Sequence, residues 1–341
     1  MSWTLESLRE HLQAALDVEH ATIPPYFTAW ISIKNTTNVE AAEIIRSVML
    51  EEMLHLTLAA NLLNAVGGRP SLTHQGFVPR YPHRLPFSGD RFEINIERFS
   101  KRALETFLAI ERPEGPRARP EARKFHTIAQ FYAAVREGID ELCERLGEQA
   151  VFTGTVARQV QPAAYYAAGE LIVVTGRDTA HRAISEIADQ GEGAHGSVFD
   201  ADRSICGEGR EPAHYYRFMQ LVKGRRYREG DTPKSGPSGA RIDVDFDAVY
   251  PIQPNARAHG YPKGSQVRGA LDAFGHGYGQ LLAALEAAFT GAPDRMTEGI
   301  ARMFALRDQA RALMQIPSGD GKTTVGLDFS QGRAVLDGGP I

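Results

Sequence analysis

Apolar positions recur at helical spacing from the first turn of the chain: Leu5, Leu8, Leu12, Leu16 and Ile23 mark one face of an amphipathic helix. Pro24 and Pro25 are expected to kink or interrupt it before "YFTAWISI", so the first helix reads as residues 5–35 with a break. A second helix, 37–66, opens with Thr37 as cap and Glu40 three places on, and closes at Gly67 and Gly68. Residues 69–126 are rich in Pro, Arg and Gly and read as an irregular insertion with one strand in "RFEINIERF". Helical periodicity returns at "TIAQ" and runs through 127–146 with Phe131, Val135, Ile139 and Leu142 inward.

The period then changes. "FTGTVARQV" and "GELIVVTG", within the insertion 151–177, are β-branched and bounded by Gly, and predict a hairpin. A fourth helical region spans 178–222, capped by Asp178 and interrupted by a loop at 196–211. Beyond the "KSGPSG" connector, "RIDVDFDAV" alternates Ile242, Val244 and Phe246 with Asp243, Asp245 and Asp247. A solvated strand face explains the three acids better than a cation site does. Two further helices occupy about 266–314, split by "TGAPD". The expected fold is therefore mainly α: a four-helix bundle with long loop insertions, a small β element and two additional C-terminal helices, all in one domain over residues 1–341.

Composition changes this picture little. The chain has 341 residues, 43% of them hydrophobic, enough for one well-buried core. Its net charge of −4 gives no electrostatic case for nucleic acid or an anionic membrane, which leaves a small molecule as the expected partner. "GDGKTT" lacks the first Gly of a phosphate loop. Cys143 and Cys206 are far apart and fit no metal spacing. With no secretory leader and no long apolar run, a cytoplasmic protein is expected. The terminal helices offer a surface for a homodimer without requiring one.

Candidate chemistry lies inside the helices. On the second, Ala41, Ile45, Val48, Glu52, His55, Ala59, Leu62 and Val66 follow steps of four and three, so Glu52 and His55 interrupt the buried stripe itself. On the first, Glu19 falls in register with Leu8, Leu12, Leu16 and Ile23. Unpaired, such groups would cost several kcal/mol each. A Glu-x-x-His turn joined by a Glu from the next helix is instead half of a carboxylate-rich dinuclear metal site. Glu51, one residue off the stripe, reads as solvated or as a supporting group. For the other half, Glu192 and His214 form the favoured pair, against the literal spacings Glu192-x-x-His195 and Glu211-x-x-His214. Glu137 is the third-helix candidate, although its wheel position opposes the Ile128, Val135, Ile139 stripe and shares a side with Gln130 and Glu141.

"VEHATIPPY", "EEMLHLTLAANLLNAVGG", "FYAAVREGI", "DQGEGAH" and "HYYRF", with the late "VYPIQPN", "YGQLLAALEAAFTGAP" and "RMFALRDQARALMQIP", resemble the ferritin-like family related to the C-terminal domain of the iminophenyl-pyruvate dimer synthase of violacein biosynthesis. The resemblance implies a ferritin-like bundle elaborated by loops and a small sheet. It also implies two iron ions held by Glu19, Glu52, His55, Glu137, Glu192 and His214, ligand types that would hold manganese equally. The implied activity is O2-dependent oxidation or coupling of a small amino-acid-derived or peptide substrate in secondary metabolism. Iron storage or peroxide dismutation without an organic substrate is the alternative. The chain lacks the long extra region of the full dimer synthase.

Overall fold

The first two helices form an antiparallel hairpin, α1 (Leu5–Ser32) and α2 (Val39–Ala65), in a computed structural model that describes residues 2–85, 92–113, 127–165, 169–193, 197–203 and 210–332, without the side chains of 192 and 201–203. Leu8, Leu12 and Leu16 are fully buried, as are Ile45, Val48, Ala59 and Leu62 of the facing stripe. Each large aliphatic side chain buried this way contributes ~1.5–3 kcal/mol. Thr4 caps α1 in a reciprocal box with Ser7.

The expected break at Pro24 and Pro25 does not occur; α1 runs through both. Pro25 cannot donate to the carbonyl of Ala21, but the Tyr81 hydroxyl does so at 2.9 Å, and Thr28 Oγ1 bonds the carbonyl of Pro24 at 2.7 Å. The helix survives because tertiary and side-chain donors replace a missing backbone one. The α2 cap also differs from expectation. Asn38, at φ 45°, precedes the helix without a side-chain cap bond and instead pairs with the backbone of Asp245.

Four more helices complete the bundle and its lid: α3 (Lys101–Ile110), α4 (Ile128–Leu146), α6 (Arg177–Glu192) and α7 (His214–Lys223), with a single turn α5 (Glu148–Val151) after α4. Helices α1, α2, α4 and α6 pack as the four-helix core, while α3 and α7 meet each other and close over one end of it. The α3 helix lies inside the segment read as irregular; Ser100 caps it, and Leu104, Phe107 and Ile110 bury its inner face. Thr127 caps α4 as expected, whereas α6 starts on Gly176, whose backbone N–H donates to Thr179 Oγ1, leaving Asp178 inside the first turn.

The β content also sits elsewhere than expected. An antiparallel pair, β1 (Phe199–Arg203) and β2 (Arg210–Pro212), occupies the segment read as a loop. "FTGTVARQV" and "GELIVVTG" form no ladder; the Asn61 side chain bonds Val160 N, Val160 O and Ile172 O, and Gln159 spans both backbone groups of Val174. Buried amides thus satisfy a backbone that alternation alone would assign to a sheet. "RFEINIERF" contributes one bridge, Ile94 with His83, and "RIDVDFDAV" makes bridges at Arg241 and Val249, with its three Asp exposed as expected of a solvated face. On the far side of the α1–α2 hairpin, α8 (Gln266–Phe289) and α9 (Arg295–Leu313) pack together against it. No helix among the described residues is long and apolar enough to cross a membrane.

Candidate metal centre

Five ionisable side chains converge in the bundle beneath α3 and α7: Glu19 from α1, Glu52 and His55 from α2, Glu111 at the C-cap of α3, and His214, the first residue of α7. Their exposures are 1%, 2%, 2%, 5% and 0%, so water cannot compensate their charge.

Each carboxylate divides its oxygens the same way. Glu19 Oε1 accepts from the Tyr132 hydroxyl at 2.6 Å, Glu52 Oε2 from Thr22 Oγ1 at 2.8 Å, and Glu111 Oε1 from the Tyr26 hydroxyl at 2.5 Å. The second oxygen of each faces the imidazoles. Glu19 Oε2 and Glu52 Oε1 lie 3.6 and 3.7 Å from His55 Nδ1, and Glu52 Oε1 and Glu111 Oε2 lie 2.9 and 3.6 Å from His214 Nδ1.

The two imidazoles are oriented alike. His55 Nε2 meets Gln190 Oε1 at 2.8 Å, and the Gln190 amide is fixed by donating its nitrogen to Glu186 at 3.1 Å, so His55 donates through Nε2. His214 Nε2 donates to Glu51 Oε2 at 2.9 Å. Both rings therefore turn Nδ1 toward the carboxylates. His214 Nδ1, although buried and close to Glu52, has no correctly aligned hydrogen-bond partner. A nitrogen lone pair aimed between carboxylate oxygens, with the opposite N–H held by an acceptor, is the arrangement of a metal-bound histidine. One ligand atom each from Glu52, His55 and His214 lies within 4.8 Å of the others, a separation one cation can close.

Electrostatics point the same way. Burial, reinforced by the neighbouring charge of Glu111 and opposed by the two imidazoles, raises Glu52 to about 7. Burial works against protonated His55 and His214, but the hydrogen bonds and charges of the surrounding carboxylates outweigh it and raise both. The site requires positive charge at its centre, which protons supply without metal and a cation supplies with it. Glu51 is the exception. Burial would raise it, yet Arg217 at 2.9 Å pulls it down to about 2, so it remains an anionic acceptor behind His214. Arg217 in turn holds Asp200 at 3.0 Å and Glu211 at 3.1 Å. The donors are hard oxygens and imidazole nitrogens, which fit iron, manganese or zinc.

Of the residues expected from sequence, the structure brings Glu19, Glu52, His55 and His214 together. Glu137 is not among them. It is exposed on the outer face of α4, because Val135, Gly138, Ile139 and Leu142 claim the inner one. Glu141 accepts from Ser2 and Trp3 at the chain's start, and Gln130 is buried. The side chain of Glu192 and all of His195 lie outside the described residues. Glu211 pairs with Arg217 rather than with the imidazoles. Glu51, read as solvated or supporting, is buried and supports His214. Sequence reading missed Glu111, Gln190, Tyr26 and Tyr132. The Ser100 cap and the Leu104, Phe107, Ile110 spacing were the available signal for the helix that delivers Glu111.

A cavity of about 20 Å³ touches Glu19, Glu52, His55 and Glu111 and is walled by Ile110, Ile128 and Ile187. That is room for one water-sized molecule.

The sequence matches no curated protein. A ferritin-like protein from Caulobacter vibrioides shares the architecture, with a TM-score of 0.63 over 91% of this chain and 96% of that one, and 22% sequence identity. At that identity the likeness speaks for the fold. The sequence profile of the Ferritin-like family matches residues 12–223, which hold Glu19, Glu52, His55, Glu111 and His214 together with most of α1 and the whole of α2, α4 and α6, and the chain thus belongs to the ferritin-like family.

Proposed function

We propose that this protein is a dinuclear-metal oxidoreductase, with iron as the metal, acting with O2 on a small amino-acid-derived or peptide substrate. The observation that carries the reading is the convergence of one free oxygen from each of Glu19, Glu52 and Glu111 with the Nδ1 atoms of His55 and His214 in a dry core. Glu19 and His55 would hold one ion, Glu111 and His214 the other, and Glu52, which faces both imidazoles, would bridge them. When bound, an iron pair supplies the electrons that reduce dioxygen.

The chain's own residues set the conditions for that chemistry. Tyr132, Thr22 and Tyr26 fix the carboxylate rotamers, Gln190 and Glu51 fix the imidazole tautomers, and the isoleucine wall keeps bulk water out. Arg112 lines the cavity and could meet the carboxylate of a substrate that approaches it. Affinity with the violacein-related dimer synthase branch of the family, and a role in secondary metabolism, belong to the proposal and rest on the motif resemblance.

One observation favours a second reading. The 20 Å³ cavity accommodates dioxygen or water but no organic molecule, which suits metal oxidation or peroxide chemistry without a co-substrate. Anaerobic ferrous loading followed by metal analysis and O2 uptake tests the proposal. About two irons per chain are expected. Fewer than about one would overturn the metal reading. O2 uptake that no amino-acid-derived imine or peptide accelerates would favour the second reading over the first.

A further inference from the structure

A second cavity, of about 370 Å³, lies on the other side of the α1–α2 hairpin, closed by α8 and α9. Its size falls in the range of small-molecule sites. The two helices serve both sites with different faces: α1 turns Glu19, Thr22 and Tyr26 toward the metal centre but Ile23, Phe27 and Trp30 toward this cavity, and α2 turns Met49, Met53 and Leu56 toward it. We propose that the cavity binds an amphipathic carboxylate, with its apolar tail between the helix pairs and its carboxylate on Arg46. The inference does not depend on the metal reading.

The tail must be apolar because the hydroxyls on the wall are already spent. Thr57 Oγ1 is taken by the Met53 carbonyl at 2.8 Å, the Tyr165 hydroxyl by the Leu50 carbonyl at 3.3 Å, and the Tyr278 hydroxyl meets His20 Nε2 at 2.5 Å. A polar tail would lose its hydration and gain little. Met49, Met53, Met296 and Met303 all line the cavity, four of the chain's seven methionines. Thioether side chains are unbranched and adapt to tails of differing shape.

The head must be anionic because the charge on the lining has one sign. Among the described residues no aspartate or glutamate lines the cavity, while Arg46 and Arg307 do. Arg307 is already paired with Asp308 at 2.9 Å and stacked on Phe304. Arg46 is exposed, rests over the Trp30 ring at 6.0 Å, and has no carboxylate partner among the described residues. A guanidinium over an indole at the rim of an apolar cavity can offer its donor fork to a carboxylate.

Calorimetric titration of the full chain with dodecanoate, using dodecan-1-ol as the uncharged control, tests this. The expected result is saturable binding of about one dodecanoate per chain with a negative heat-capacity change. Arg46→Gln should weaken dodecanoate by about tenfold or more, the worth of a charge-assisted hydrogen bond, and leave dodecan-1-ol unchanged. Met53→Trp, which narrows the cavity, should weaken both. Absence of saturable binding to the wild type, equal affinity for acid and alcohol, or an Arg46→Gln variant that binds dodecanoate as the wild type does would each overturn the proposal. So would a dimer that forms with rising protein concentration and excludes dodecanoate, since the cavity would then belong to a second copy of the chain. Arg46 is exposed, so its substitution leaves the fold intact and decides the matter even if Met53→Trp fails to fold.

Discussion

Gln190 makes the sharpest test of the metal centre, because it never needs to touch a metal to matter. Its carbonyl accepts the Nε2 proton of His55 at 2.8 Å, and Gln190 itself is 1% exposed. Gln190→Leu keeps the approximate volume and removes the acceptor. The buried His55 N–H is then unpaired, which should cost ~1–3 kcal/mol of stability. The ring is also free to adopt the other tautomer, with the proton on Nδ1 where the metal should bind. Metal affinity should therefore fall by ~10–100-fold, the usual effect of losing a ligand's orienting partner. Gln190→Glu supplies a stronger acceptor at the same place and should retain affinity. Urea unfolding of metal-free protein gives the stability term, and competition with a chromophoric chelator gives the affinity. A Gln190→Leu variant that loses stability but binds metal within about twofold of the wild type would refute the tautomer argument, since the cost of the unpaired N–H would then be purely structural.

Three other outcomes follow from the same geometry. Glu111→Ala should lower bound metal, whereas Glu137→Ala, on an exposed position, should leave it unchanged, and metal analysis distinguishes them. Arg217→Leu leaves the buried Glu51 and Asp200 without their cation and should destabilise the fold by ~3–5 kcal/mol in denaturant titration. Tyr81→Phe strands the Ala21 carbonyl that Pro25 leaves open and should cost ~1–3 kcal/mol by the same measurement, whereas a change below about 0.3 kcal/mol would mean that the helix tolerates the open carbonyl unaided.

Local pattern alone determined the parts of this protein whose physics is local. The Leu8, Leu12, Leu16 and Ala41 to Val66 stripes carry helical periodicity, and a polar group that interrupts such a stripe is buried wherever the stripe packs, so Glu19, Glu52 and His55 were legible from spacing. His214 was legible for the same reason, sharing a face with Phe218 and Leu221. What tertiary structure decided was every case where a long-range partner overrides a local rule. Pro24 and Pro25 should end a helix, and do not, because Tyr81 arrives from 60 positions away in sequence. Asn61 reaches from α2, and Gln159 across to Val174, to replace a sheet ladder. Glu111 joins the cluster because the lid helix α3 brings its C-cap residue to the bundle, so no periodicity of the core helices could announce it, while Glu137, on a core helix, faces water. Sequence pattern selects which face of a helix is dry. Which dry faces meet, and which residue from a lid completes the charge between them, depends on contacts that no window of neighbouring residues contains.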